Sequence, residues 1–179
     1  LDSADPRVLE AGARTYNGRP IIKSLTGAAA SMDAVFPIVK KYGALAIALT
    51  MDENGVPQTA RERYLIAERI LRRAAEYGIA KSDILIDCLA PASATRQDQT
   101  METLRAVSLV KNGLGVKTVL GIGHIARGLP AREKLNAAFL TAALGAGLDA
   151  AILDVFSEEN MEALNLFRIL SGDKPNTDV

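Results

Sequence analysis

Short apolar runs rich in β-branched residues alternate along the chain with longer segments whose apolar positions recur every three or four residues. That is the spacing of a strand followed by an amphipathic helix. The runs are Arg19–Ser24, Ala44–Thr50, Asp83–Asp87, Lys117–Gly121 and Ala150–Asp154, and Leu1–Ser3 reads as the tail of one more. Between them the pattern predicts helices over Pro6–Tyr16, Ala28–Tyr42, Thr59–Tyr77, Asp98–Lys111, Ala131–Ala146 and Glu158–Leu170, stopped by Gly18, Gly43, Gly78, Gly113, Gly147 and Gly172. The runs are continuously apolar, as expected of a parallel sheet covered on both faces. The fold class is therefore α/β, a parallel β/α repeat of TIM-barrel type. No linker or low-complexity stretch interrupts it, so residues 1–179 read as a single domain. Six units fall short of the eight in a closed barrel, which typically takes about 250 residues. Units of the barrel are expected to be missing, and a doubly wound open sheet is the alternative.

Composition narrows the chemistry. Of the 179 residues 49% are hydrophobic, enough for a real core, and Lys plus Arg (21) balance Asp plus Glu (21). A neutral chain has no bulk field to hold nucleic acid or an anionic membrane. Cys88 is the one cysteine, which excludes an internal disulfide and a multi-cysteine metal site and suits a reducing compartment, so a cytoplasmic protein is expected. Neither a span of about 18 apolar residues nor a basic start followed by an apolar run occurs. With aromatics at 4% and no Trp, few rings are available to stack on bases or sugars.

In parallel β/α folds ligands bind at the carboxyl ends of the strands. The residues there are Asp2 and Ser3, Lys23 and Ser24, Thr50 with Asp52, Asp87 with Cys88, His124, and Asp154. Two carboxylates at the ends of separate strands can accept hydrogen bonds from an amidine-like edge, the donor pattern of a pterin or a guanidine. The plainer alternative is that each Asp caps the helix after it, as expected for Asp5 and Asp98. His124, the only histidine, is either structural or a proton donor, and alone it cannot build a His-rich metal site. The stretch from Gly121 to Ala126 has the form of a dinucleotide fingerprint, yet Gly128 and Pro130 put the helix start several residues too late for a nicotinamide cofactor. The turn at Gly55-Val56-Pro57 either covers a ligand or is a solvated connection. Cys88, with no histidine near it in sequence, reads as a small buried hydrophobe.

These motifs resemble the pterin-binding methyltransferases, among them the methyltetrahydrofolate:corrinoid/iron–sulfur protein methyltransferase and the folate-binding module of cobalamin-dependent methionine synthase. The resemblance runs through Leu1-Asp2-Ser3, Ile22-Lys23-Ser24, Leu49-Thr50-Met51-Asp52-Glu53-Asn54-Gly55-Val56-Pro57, Ile86-Asp87-Cys88-Leu89, and from Gly128-Leu129-Pro130-Ala131-Arg132 through Asn136 to Ile152. It implies an eight-stranded barrel, of which the six units correspond to the third through eighth strands. It also implies roles: Asp2, Ser3, Lys23, Ser24, Thr50, Met51, Asp87 and Arg132 for the substrate, and His124 for catalysis. Asp2 and Asp87 resemble carboxylates that bind the pterin ring. Lys23 and His124 stand where the family usually has Asn, and Lys23 is expected to pair with Asp2 or Asp87. The implied activity moves a methyl group from N5 of methyltetrahydrofolate to a corrinoid carried by a partner protein, with no metal bound by this chain, and a homodimer is implied. The alternative is a catalytically inactive or truncated pterin-binding-like module that acts through protein–protein docking.

Overall fold

The computed structural model describes residues 1–91, 96 and 98–172. Five parallel strands, β1 (Ile21–Thr26), β2 (Leu45–Leu49), β3 (Ile84–Asp87), β4 (Lys117–Gly121) and β5 (Ala150–Ile152), lie side by side in sequence order. Helices α1 (Pro6–Thr15), α2 (Ala29–Tyr42), α3 (Ala60–Glu76), α4 (Asp98–Leu114), α5 (Arg132–Gly145) and α6 (Glu158–Leu170) occupy the predicted places to within a few residues. The expected strand tail is present at the outer edge of β1. Ser3 N–H donates to the Lys23 carbonyl at 2.9 Å, and Lys23 N–H donates to the Leu1 carbonyl at 2.7 Å.

Strand order decides between the two folds left open by the sequence. A doubly wound sheet reverses its order at a switch point. Here each strand adds beside the one before it, and consecutive helices pack on one another in the same order. The chain winds in one direction, as a β/α barrel does, and among the described residues β5 pairs only with β4, so the sheet stays open.

Alternation along the strands separates two faces. Ile22, Ala46, Ala48, Ile84, Ile86 and Leu120 join the buried cluster formed with the helices. Ile47 and Val119 are buried outside that cluster, between residues that belong to it or flank it, and so mark the opposite face. Lys23 is paired with Ile47, and Asp87 with Val119, which puts both polar side chains on this second face. The sheet's second face is only partly covered, with Ile21 exposed and Leu45 and Leu85 half-buried.

Two expectations need correction. Gly113 lies inside α4 and does not stop it; Gly115, at φ 58°, takes the left-handed turn that glycine favours, one turn beyond the predicted end. The run Ala150–Asp154 is a strand only as far as Ile152, because Asp154 turns back to accept the Phe156 N–H at 2.9 Å.

Candidate functional site

A cleft of about 350 Å³ opens at the carboxyl ends of the strands, lined by Lys23, Ser24, Leu49, Asp87, Leu89, Ala90, Gly121, Gly123, His124, Ile152, Leu153 and Asp154. Lys23 and Ser24 are neighbours in a strand, and strict alternation would send them to opposite faces. A bulge between Lys23 and Leu25 breaks the register, and both line the cleft.

Asp87 ends β3 and is 6% exposed. Its Oδ1 accepts the Leu89 N–H at 2.8 Å, and among the described residues no group hydrogen-bonds Oδ2. Its backbone is fixed from β2: the Thr50 N–H (2.9 Å) and hydroxyl (3.1 Å) both donate to the Asp87 carbonyl. Burial pushes the Asp87 carboxyl up to about 6, opposed by the Leu89 N–H and by the charge of Lys23. A desolvated carboxylate with an oxygen to which no described residue donates is a stability cost, and in a cleft it makes Asp87 a candidate binding group.

The other aspartates at strand ends share one local motif. Asp52, Asp87 and Asp154 each accept the N–H two residues on, from Asn54, Leu89 and Phe156. None caps the helix that follows: Thr59 caps α3 and Ser157 caps α6. Asp5 does cap α1, as expected, by accepting the Arg7 N–H. Asp98 opens α4 and accepts the Gln99 side chain at 2.8 Å. Asp52 is engaged away from the cleft, held below the usual carboxylate range by the Asn54 N–H and by Arg69 at 2.8 Å.

Lys23 pairs with Asp2 at 2.8 Å rather than with Asp87. The Asp2 side chain is 75% exposed, so the pair is weakly held. His124 is exposed and packs over Gly121, its Nδ1 3.4 Å from where a Cβ on that glycine would stand. Lys23, Ser24, Asp87 and His124 are thus brought together, with Asp2 joined through Lys23. The remaining candidates lie outside the cleft lining. Ser3 Oγ accepts the Asp5 N–H, Thr50 is buried against Asp87, the Met51 carbonyl accepts the Gly27 N–H, and Arg132 donates to the Gly123 carbonyl at 3.1 Å. Asp154, seen at a strand end but not placed in the site by sequence, lines the cleft.

The turn at Gly55-Val56-Pro57 folds back on α3 and lines a separate, larger cleft of about 580 Å³ with Arg69 and Arg72. That cleft has mixed charge, and its partly desolvated carboxylate, Asp52, is held in its charged form by the Asn54 N–H and by Arg69. The polar residues on the second face of the sheet are the better candidates. The dinucleotide form at Gly121–Ala126 is followed by turns, and α5 starts only at Arg132, so no helix N-terminus opens within it. Cys88 is fully buried, and burial pushes its thiol up, as for an inert packing residue. Among the described residues no three His, Cys, Asp or Glu side chains gather as a metal site, and no helix is long and apolar enough to cross a membrane.

One residue that matters here was not singled out from the sequence. Arg63 is 0% exposed and holds the segment after β3 from α3. Its signal was its phase: Ala60, Ile66, Ala67, Ile70 and Ala74 form the buried stripe of α3, and Arg63 falls on it.

The raised Asp87 pKa carries a sign. Its folded value, about 6 against an ordinary 3.8, means the buried group favours folding fully below pH about 4, and that contribution is lost as pH rises through about 6. Asp87→Asn keeps an acceptor for Leu89 without the charge. We expect it to be more stable than the ligand-free wild type by roughly 2–3 kcal/mol at pH 8, with the difference vanishing toward pH 4. Urea unfolding across that range measures it; parallel pH profiles for the two proteins would refute the buried charge.

Residues 1–154 match the family described as pterin binding enzyme. Over 166 residues the chain is 37% identical to methionine synthase of Mycobacterium leprae, covering 86% of this chain but 14% of that protein. Over 176 residues it is 24% identical to methylcorrinoid:tetrahydrofolate methyltransferase of Eubacterium limosum, covering 97% of this chain and 65% of that one. In fold it resembles the dihydropteroate synthase of Thermus thermophilus, with a TM-score of 0.73 at 15% identity, over 94% of this chain and 69% of that chain. That neighbour has the β/α winding described above. With a family match running from Leu1 through the last cleft residue, Asp154, the chain belongs to the pterin binding enzymes.

Proposed function

We propose that this chain binds methyltetrahydrofolate in the cleft at the strand ends and transfers its N5 methyl group to a corrinoid carried by a partner protein. The observation that carries the reading is Asp87, a buried carboxylate with one oxygen to which no described residue donates, in a cleft it shares with Lys23, Ser24 and His124. The aminopyrimidine edge of a pterin presents parallel N–H donors, and a carboxylate in a desolvated cleft is their natural acceptor. Ser24 offers a further hydroxyl on the same wall. The apolar lining from Leu49, Leu89, Ile152 and Leu153 suits a flat ring.

In the proposed transfer the N5–methyl bond breaks as the acceptor cobalt, in its reduced state, supplies the electron pair for the new bond to carbon. The pair left on N5 needs a proton or a strong donor, since a tetrahydrofolate anion is a poor leaving group. His124, which lines the cleft, is the proton donor in this proposal. Asp87 orients the ring so that N5 meets it. The Eubacterium limosum relative is named for transfer from a methylcorrinoid to tetrahydrofolate. A site that only orients the pterin and manages one proton serves either direction.

Cytoplasmic residence and pairing of two copies belong to the same proposal, and the exposed Leu166, Ile169 and Leu170 of α6 supply apolar surface for the pairing. A binding-only chain would take up the pterin and transfer nothing, so affinity and turnover are measured separately.

Asp87→Asn should lose on the order of 2–4 kcal/mol of methyltetrahydrofolate binding by calorimetry. Unchanged affinity in a variant with an intact circular dichroism spectrum would remove Asp87 from the site. Lys23→Asn should bind more tightly at pH 8, because an ammonium that competes for the carboxylates is gone; weaker binding would make Lys23 a ligand contact. In single-turnover transfer to a reduced corrinoid, His124→Ala should be slower by about 10²-fold while His124→Asn keeps part of the rate. Equal rates for wild type and His124→Ala would make the histidine structural.

A further inference from the structure

Asp87 is followed, two residues on, by a backbone that a leucine does not adopt unaided. Leu89 has φ 58°, in the left-handed region where a Cβ is crowded by the neighbouring carbonyl. In the same turn the Leu89 N–H donates to Asp87 Oδ1 at 2.8 Å. The peptides on either side are held from behind. Arg63 Nη1 donates to the Cys88 carbonyl at 3.1 Å and to the Leu89 carbonyl at 3.1 Å, and the Thr103 hydroxyl donates to the Leu89 carbonyl at 2.9 Å. Arg63 is itself locked by Thr103 Oγ1 at 2.9 Å, Gln99 Oε1 at 2.7 Å and the Pro57 carbonyl at 3.2 Å. It lines no part of the cleft.

We infer that Arg63 is a positioning residue for Asp87: by clamping the Cys88 and Leu89 carbonyls it holds the Leu89 N–H on one carboxylate oxygen and leaves the other presented to the ligand. Three features separate this from a generic brace. Among the described residues the guanidinium meets only neutral acceptors, so no ion pair accounts for its burial. Two of its bonds converge on consecutive carbonyls while its other nitrogens reach further acceptors, as a planar fork can and an ammonium cannot. The segment it grips carries the Leu89 N–H, the single hydrogen-bond donor that the Asp87 carboxylate has among the described residues. The clamp as such rests on the geometry alone, and its role in holding a pterin rests on the function proposed above.

Arg63→Lys keeps the charge and loses the fork, which separates clamping from long-range electrostatics. Thr103→Val loosens the same carbonyl with less disturbance. Two readouts need no ligand: hydrogen exchange at the Leu89 amide, and the titration of the Asp87 carboxyl followed by carbon NMR. The groups around that carboxyl are Lys23 from β1 with its partner Asp2, Cys88 next in the chain, and His124 and Asp154 across the cleft, all unaltered in both variants. Loss of the clamp should speed Leu89 exchange by about tenfold or more. It should also raise the Asp87 midpoint, because a donor to the charged form is released. Affinity for methyltetrahydrofolate at pH 8 should then fall about tenfold.

Wild-type Leu89 protection and a wild-type Asp87 midpoint in folded Arg63→Lys would overturn the inference. If Arg63→Lys does not fold, the same two readouts on Thr103→Val decide it. Should the wild type fail to bind methyltetrahydrofolate, the pterin reading falls while exchange and titration still answer for the clamp.

Discussion

A guanidinium buried without a carboxylate is the interaction on which the site depends. Taking a cation out of water costs several kcal/mol even after relaxation. Arg63 offsets this by saturating its donors on the Pro57, Cys88 and Leu89 carbonyls, Thr103 Oγ1 and Gln99 Oε1. These acceptors come from the loop after β2, the segment after β3 and the first two turns of α4. Burial depresses the Arg63 pKa, but an arginine remains charged, so the acceptors must stay in place or the charge is orphaned. One side chain thereby ties three pieces of chain that share no regular hydrogen bonding. Its own helix is well anchored: Thr59 and Glu62 form a capping box, and Glu102 of α4 accepts the Ala60 N–H at 2.7 Å.

On this frame the molecule tolerates a second buried charge, Asp87, which has the opposite character. Each guanidinium nitrogen of Arg63 has an acceptor and the group is inaccessible, whereas among the described residues the Asp87 carboxylate has one donor and an oxygen to which none donates. The first charge organises the fold, and the second is destabilising until something binds. Such a division is what a preorganised site requires, because a carboxylate already desolvated and held loses little further freedom when a ligand arrives. Lys23 does not defeat it. The ammonium rests on the exposed Asp2, an attachment worth little in water.

The strand and helix pattern was legible because hydrophobic period is a local property. Helix α6 matches its predicted bounds, and α4 overruns them because Gly113 packs against the Tyr64 ring inside the helix while Gly115 makes the turn. The strand ends also pointed to Lys23, Ser24, Asp87 and His124. What the pattern could not show was tertiary. A bulge that turns Ser24 onto the same wall as Lys23 has no signature in six residues of apolar sequence. Thr50 looked like a ligand contact from its place in the loop motif, yet its hydroxyl serves the Asp87 carbonyl. Arg63 was masked by Arg61 and Glu62 beside it, and only its phase on the apolar stripe of α3 distinguishes it.

The settings of Lys23 and His124 follow from the same geometry. At Lys23 an amide would reach no carboxylate by charge, whereas an ammonium finds Asp2 across the edge formed by Leu1–Ser3 and β1. The lysine therefore lines the cleft while its ammonium rests on the exposed Asp2 at the sheet's outer edge. His124 is different, because it makes no ion pair among the described residues, is exposed, and rests over Gly121, its Nδ1 3.4 Å from where a Cβ on that glycine would stand. It lines the same cleft as Asp87. Stability thus leaves His124 little constrained, while Asp87, in the same cleft, is buried and fixed by its neighbours.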